Sequence, residues 1–342
     1  MRIGILFGTA AFVLLISAVP APVYAEGALR DALRERVQKR VTEGDGSFGE
    51  EGGGPCAEHY TKVDRLIKAA GDKALGPAPD VADVSYGTHE RQKFDVYFSS
   101  SNASGPAPII LMVHGGGWCV GDKRLKSTIA NKAARWTSRG FVVISTNYPM
   151  LTHGRNALEQ AHEVARAAAY IQKNAATWGG DASRMILMGH SAGAHLVSLV
   201  GADADIRTAA GMGDILGVVS IDAGATDLRM QMPKVVPALK TRYAEAFGTD
   251  PAGWPAASPR HQLDARSAPW LGICSLTRPD KPCEQAEVYV QRSIALGITA
   301  KTLPLPKGHG RLNSELGLAG SYTDSVEKFM SALDPIVAAR LR

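Results

Sequence analysis

The stretch Gly189-His190-Ser191-Ala192-Gly193 decides how this chain is read. Ahead of it runs the apolar Met185-Ile186-Leu187-Met188, and behind it comes the helix-like Ala194-His195-Leu196-Val197-Ser198-Leu199-Val200. The order predicts a strand, a sharp turn with a serine at its apex, and a helix. That is a nucleophile elbow, which lifts the serine hydroxyl above the edge of a sheet. Such a turn holds its serine in a sparsely populated backbone conformation. Gly189 and Gly193 carry no Cβ, so strand and helix can approach closely on either side. Ser191 also falls at a helix N-terminus, where N–H groups and the helix dipole favour developing negative charge. A glycine-rich loop between any strand and any helix would show the same letters. The rest of the chain must therefore supply the partners.

The second motif is His114-Gly115-Gly116-Gly117-Trp118, directly after the continuously apolar Ile109-Ile110-Leu111-Met112-Val113. Consecutive glycines let backbone N–H groups turn toward a ligand at close range. After the strand ahead of an elbow they match an oxyanion loop, with Gly116, Gly117 and Ala192 as the expected donors. One such donor is typically worth about 3 kcal/mol of barrier, so the pair of motifs points to acyl transfer rather than to binding alone. A serine hydroxyl needs a base, and the base needs an orienting acid. Beyond the elbow helix the histidines are His261 and His309. His309 lies in the tight Pro306-Lys307-Gly308-His309-Gly310 after the last strand and is the expected base; His261 lies in an irregular segment. His190 and His195 read as structural or cleft-lining. For the acid, chain order favours Asp280, in the loop after the strand ending at Cys274. Asp227, after the preceding strand, is the alternative, and Glu284 is a distant third. An ordinary surface aspartate paired with Arg278 or Lys281 would also account for Asp280.

The 342 residues, 45% hydrophobic, suit one large α/β domain with extensions. The +5 balance comes from 38 basic residues spread along the chain against 33 acidic ones, so it forms no nucleic-acid stripe. Residues 1–25 read as a signal peptide or N-terminal anchor: Arg2, an apolar run from Ile3 to Val19, and small residues up to Ala25. Export to the periplasm or the medium follows from that reading, with no membrane span in the mature chain unless the leader is retained. Residues 26–80 are expected to hold an amphipathic helix from Ala28 to Val41 and a Gly/Glu-rich linker. The four cysteines all fall in the exported part, where disulfides form. Cys274–Cys283 is the preferred bridge because it closes a short loop; Cys56–Cys119 would then pin the N-terminal segment near the site. No cysteine has the spacing of a metal ligand, and no metal or organic cofactor is required.

From Val81 to the end, strands alternate with helices after a hairpin at Val84–Gly87 and Phe94–Phe98. The expected fold class is α/β, with a mostly parallel central sheet flanked by helices and an antiparallel hairpin at its start. The catalytic domain spans 81–342, with a cap-like insertion at about 228–263.

With these residues in hand the chain resembles the α/β-hydrolase superfamily. More narrowly, it is similar to the esterase/lipase group that carries His-Gly-Gly-Gly-Trp and Gly-His-Ser-Ala-Gly, related to hormone-sensitive-lipase-like and feruloyl-esterase-like enzymes. Further matches are Gly121-Asp122-Lys123, Asn147-Tyr148, Trp178-Gly179-Gly180-Asp181 and Gly308-His309-Gly310. Two positions depart from the group. Pro149 stands where an arginine usually follows Asn-Tyr, and Arg278 falls on the acid position of the Gly-x-x-Asp loop, two residues before Asp280. The resemblance implies a serine hydrolase acting on small-molecule carboxylic esters through an acyl-enzyme. An arylformamidase-like amide hydrolase is the alternative enzyme, and a binding module on a hydrolase scaffold is the non-catalytic one. Oligomeric state is not legible.

Overall fold

The computed structural model describes residues 55–342 apart from 102 and 103. The expected leader, the helix at 28–41 and the linker before 55 lie outside the described residues. Eight strands form one sheet among the described residues: β1 (Val81–Ser85), β2 (Lys93–Tyr97), β3 (Ala107–Val113), β4 (Val142–Thr146), β5 (Gly180–His190), β6 (Gly217–Ile221), β7 (Trp270–Ser275) and β8 (Ala300–Leu305). Their order across the sheet is β1-β2-β4-β3-β5-β6-β7-β8. β2 runs antiparallel to both of its neighbours, and all pairings from β4 to β8 are parallel. The hairpin at the start and the parallel remainder are as the sequence leads one to expect.

The helices are α1 (Cys56–Ala70), α2 (Lys126–Thr137), α3 (Ala157–Asn174), α4 (Ala192–Ala202), α5 (Ala204–Ala209), α6 (Leu228–Gln231), α7 (Lys240–Phe247), α8 (Pro282–Ala295), α9 (His309–Glu315), α10 (Ser321–Ser331) and α11 (Pro335–Arg340). β3 is apolar at every position and β4, β6 and β7 are buried throughout, because both sheet faces are covered. Ile109, Leu111 and Val113 of β3 join Met185 and Leu187 of β5 in one core, closed by α3 and α4. Ile110 and Met112 join Ile186 and Met188 in the other, closed by Trp136 of α2 and by Val326 and Phe329 of α10. Alternation of side chains along a strand produces this split. Every residue of α4 is buried, as expected of a helix apolar on all sides. Because β3 and β5 to β8 all run the same way, the residues that follow them gather at one edge of the sheet, where open α/β sheets bind ligands.

The described residues include a helix ahead of Val81. Helix α1 places Val63 and Ile67 four residues apart on one face, where they pack with Cys119, Val120 and Leu151 in a small separate core. A disulfide joins Cys56 to Cys119, and the Cys56 N–H donates to Glu245 Oε2 of α7 at 2.9 Å. A second disulfide joins Cys274 to Cys283. The two bridges differ in loop length, 63 residues of separation against 9, so their removal should cost about 4 and about 3 kcal/mol respectively on chain-entropy grounds. Urea unfolding of the Cys56→Ser/Cys119→Ser and Cys274→Ser/Cys283→Ser variants reads this order directly. A larger loss from the second pair would mean that local packing, not loop closure, dominates.

Candidate active site

Ser191 links β5 to α4 with φ 54° and ψ −118°, a region costly for a residue with a Cβ. Its backbone holds that conformation from both sides: the Ser191 N–H donates to the Ile221 carbonyl at 2.9 Å, and the Ser191 carbonyl accepts from His195 N–H at 3.0 Å. A Cβ placed on Gly193 would lie 2.3 Å from the Val113 carbonyl oxygen and 2.5 Å from that of His114. No relaxation of a side chain relieves such a contact, so the close crossing of elbow and β3 requires glycine there. Ala192 is the first residue of α4, where a helix has N–H groups without intrahelical partners.

The glycine loop after β3 lies against the elbow: a Cβ on Gly115 would stand 3.0 Å from Ser191 Cβ. Gly116 and Gly117 take φ values of 122° and 60°, turning the chain as only glycine does freely. The loop is braced from behind by groups from three elements. His114 Nδ1–H donates to its neighbour Gly115 O at 2.8 Å, and its ring stacks on Tyr148, whose hydroxyl donates to His114 O at 2.8 Å. Arg91, from the turn between β1 and β2, reaches the Gly121 carbonyl at 2.8 Å, Asn147 Oδ1 at 3.1 Å and His114 Nε2 at 3.3 Å. The positions that carry the family resemblance, Asp122 and Asn147, thus form the frame of the loop; Arg91 completes it and gave no motif to read.

On the other side of the loop lies the insertion. Trp118 meets Tyr243 and Phe247 of α7 edge to face, with ring centroids 5.1 and 4.7 Å apart. The Arg242 side chain is buried and runs over Gly117: a Cβ there would lie 2.7 Å from Arg242 Cδ. Trp118 Nε1–H donates to His195 Nδ1 at 3.2 Å, and His195 Nε2–H donates to the Ala257 carbonyl at 2.8 Å. His195 is therefore a structural tie between elbow helix and insertion.

His309 opens α9 just after β8, and its ring lies 4.3 Å from that of His190, the residue preceding Ser191. Its Nδ1 is 2.5 Å from Oδ2 of Asp222. This carboxylate is none of the three candidates, Asp280, Asp227 and Glu284, that the sequence offered. Asp222 follows β6 immediately, is fully buried and has φ 57°. Its Oδ1 accepts the Ser275 N–H at 2.8 Å, and its own N–H donates to the Ile273 carbonyl at 2.7 Å. Burial alone would raise its pKa, but the charges of Arg278 and His309 hold it well below the usual carboxylate range.

Asp280 faces Arg278 instead, in a two-pronged contact of 2.9 and 2.6 Å, and its Oδ2 also accepts from Gln231 Nε2 at 3.1 Å. Asp227 caps α6, accepting from the Arg229 and Met230 N–H groups, and pairs with Arg260 at 2.6 Å. His261, the rival histidine, lies 3.4 Å from Asp227, so those two candidates engage each other rather than the site. Glu284 is paired with Lys234 and Lys281. The reason for the correction is local. Arg278 turns its guanidinium inward at the place where a carboxylate was expected, and Asp280, two residues on, is drawn to its outer edge. A charged residue directly at the end of an apolar strand was the available signal for Asp222.

Comparisons with known proteins agree with this architecture. The BD-FAE family model matches residues 94–271, a little over half of the chain. Esterase LipQ of Mycobacterium tuberculosis is 26% identical over 252 residues, covering 68% of this chain and 57% of that protein. The isoprenylcysteine alpha-carbonyl methylesterase ICME of Arabidopsis thaliana is 30% identical over 115 residues, 34% of this chain and 26% of its own. The chain thus spans from a quarter to somewhat over half of the length of these curated relatives. Among solved structures, esterase B from Lactobacillus rhamnosis superposes with TM-score 0.64 at 17% identity, covering 90% of this chain and 98% of that one. A truncated carbohydrate esterase from gut microbiota gives TM-score 0.62 at 21% identity, over 75% and 99% of the two chains. At those identities the likeness is one of fold.

The two histidines that frame the loop carry a pH signature. Burial, reinforced by Arg91 at His114, lowers the pKa of each ring from 6.5 to about 4. Unfolded histidines take up protons from about 6.5, so between those limits the unfolded chain binds more protons. The stability due to the neutral rings is complete above about 6.5 and is lost as pH falls toward 4. Replacing His195 by Gln should flatten the decline by about 1.4 kcal/mol per pH unit, one proton's worth. Urea unfolding between pH 4.5 and 7.5 measures the slope; an unchanged slope contradicts the assignment.

Proposed function

The chain belongs to the BD-FAE family, and on that footing we propose that it is a serine hydrolase cleaving carboxylic esters through an acyl-enzyme. Ser191 Oγ attacks the ester carbonyl carbon while His309 accepts its proton. Asp222 fixes the imidazole with Nδ1–H toward the carboxylate and stabilises the cation that forms. The N–H groups of Gly116, Gly117 and Ala192 hold the oxyanion. Collapse of the tetrahedral species expels the alcohol, which takes its proton from His309. Water, deprotonated by the same ring, then releases the acid and restores Ser191. The single observation that carries the reading is the 2.5 Å contact between His309 Nδ1 and a fully buried, ionised Asp222, beside a serine held at φ 54°. Such a contact holds the imidazole in the tautomer and orientation that a general base requires.

A formamide substrate is the second reading, favoured by a kynurenine formamidase of Danio rerio that is 30% identical over 134 residues. The same groups would serve, with an amine leaving in place of an alcohol. Export is also part of the proposal. It is supported by the apolar leader ending at Ala25 and by two disulfides, which persist in oxidising compartments. Among the described residues no helix is long and apolar enough to cross a membrane.

Hydrolysis of p-nitrophenyl acetate, butyrate and octanoate, beside an aryl formamide, tests the assignment. Ser191→Ala should lower kcat by roughly 10⁵-fold or more, and Asp222→Asn by about 10⁴-fold. Asp280→Asn should stay within about 100-fold of the parent. Equal losses at Asp222 and Asp280 would contradict the choice of acid. Faster turnover of the formamide than of every ester would move the second reading to the front, and no turnover of either would leave a binding module.

A further inference from the structure

Arg278 touches the two groups on which the proposed base depends. Its Nη1 donates to the backbone oxygen of Asp222 at 3.0 Å and to Asp222 Oδ2 at 3.1 Å, and it lies 3.0 Å from His309 Nδ1. Its other edge, Nε and Nη2, is filled by Asp280. The three side chains are 17% (Arg278), 9% (Asp280) and 0% (Asp222) exposed, so their charges act on one another with little screening by water. The loop that carries Arg278 and Asp280 is closed on itself by Cys274–Cys283, and Gln231 of the insertion holds Asp280 from outside. A planar fork that engages one carboxylate on each edge is a property of arginine that lysine lacks.

We propose that Arg278 and Asp280 are a positioning pair for the base. Arg278 fixes the Asp222 carboxylate in the orientation that aligns His309, and Asp280 neutralises the charge that Arg278 would otherwise impose on the imidazolium. A cation 3.0 Å from an imidazole that must itself become a cation is tolerable only with a counter-charge at its back. This inference rests on the catalytic reading given above.

The two acidic and basic members should therefore move the acid limb of the kcat/KM–pH profile in opposite directions. Arg278→Met leaves Asp222 and Asp280 uncompensated, which eases protonation of His309 and shifts the limb to higher pH. Asp280→Asn, nearly isosteric, exposes the imidazole to the Arg278 charge and shifts the limb to lower pH. Each shift should be about 1 pH unit. Both variants should lose kcat, by up to about 100-fold, with KM little changed. Arg278→Lys should keep the limb near its parent position and still lose kcat, because a point charge cannot span both carboxylates.

The other titratable groups near His309 among the described residues are His190, Tyr322 of α10 beside Asp222, Lys307 two residues ahead of His309, and, in α9, Arg311 and Glu315, the latter pairing with both Lys307 and Arg311. They are common to all three variants and cannot generate shifts of opposite sign. If Arg278→Met does not fold, the sign of the Asp280→Asn shift alone decides. Shifts in the same direction, or none, overturn the inference. Asp222→Asn separates the two levels. If it remains active, the catalytic reading fails; if it is inactive while the limb stays fixed in the other variants, only the positioning role fails.

Discussion

A single buried carboxylate connects most of what is unusual about this site. Asp222 is fully buried, yet it is surrounded by groups that keep it ionised: a guanidinium, an imidazole and a backbone N–H. Burying a lone charge would cost several kcal/mol, and breaking one side of such a set leaves the others uncompensated. The end of β6, the loop after β7 and the first turn of α9 are therefore bound into one unit. Removing any of the three would disturb the placement of the others.

The sheet makes that unit available. Parallel strands end at one edge, so residues far apart in the chain meet there without long connections. The elbow adds a second constraint, because its helix crosses β3 at a distance that admits no Cβ on Gly193. The loop carrying Gly116 and Gly117 is framed by buried polar groups rather than left to bend. Arg91, Asn147 and His114 share hydrogen bonds behind it, and Trp118 is packed under α7 in front. Rigidity in donors aimed at an oxyanion is what makes them effective, since they need no reorganisation as charge develops.

Much of this was legible because it depends on local pattern. A strand-turn-helix with a central serine, a run of three glycines after an apolar strand, and a histidine after the last strand are each set by neighbouring residues. The alternation of apolar runs with helical periods was enough to read the parallel sheet and its opening hairpin. The acid was a different problem, because three aspartates follow two adjacent strands. Asp222, Asp227 and Asp280 are separated by their tertiary partners: His309 and Arg278 for the first, a helix cap and Arg260 for the second, Arg278 and Gln231 for the third. No spacing in the sequence encodes those pairings. Helix α1 was not legible for a related reason: its face of Cys56, Tyr60, Val63 and Ile67 packs on a small cluster of its own and is fixed to the domain through Cys119, a pairing that no local pattern encodes.

The most direct test is covalent capture. A fluorophosphonate mimics the tetrahedral species and reacts fastest with a serine activated by its base and oxyanion donors. Intact mass and peptide mapping after brief exposure should show one adduct, on the peptide containing Ser191, formed far more slowly in Asp222→Asn than in the parent chain. An adduct on another residue, or equal labelling rates in the two proteins, would contradict the arrangement of serine, histidine and Asp222 described here.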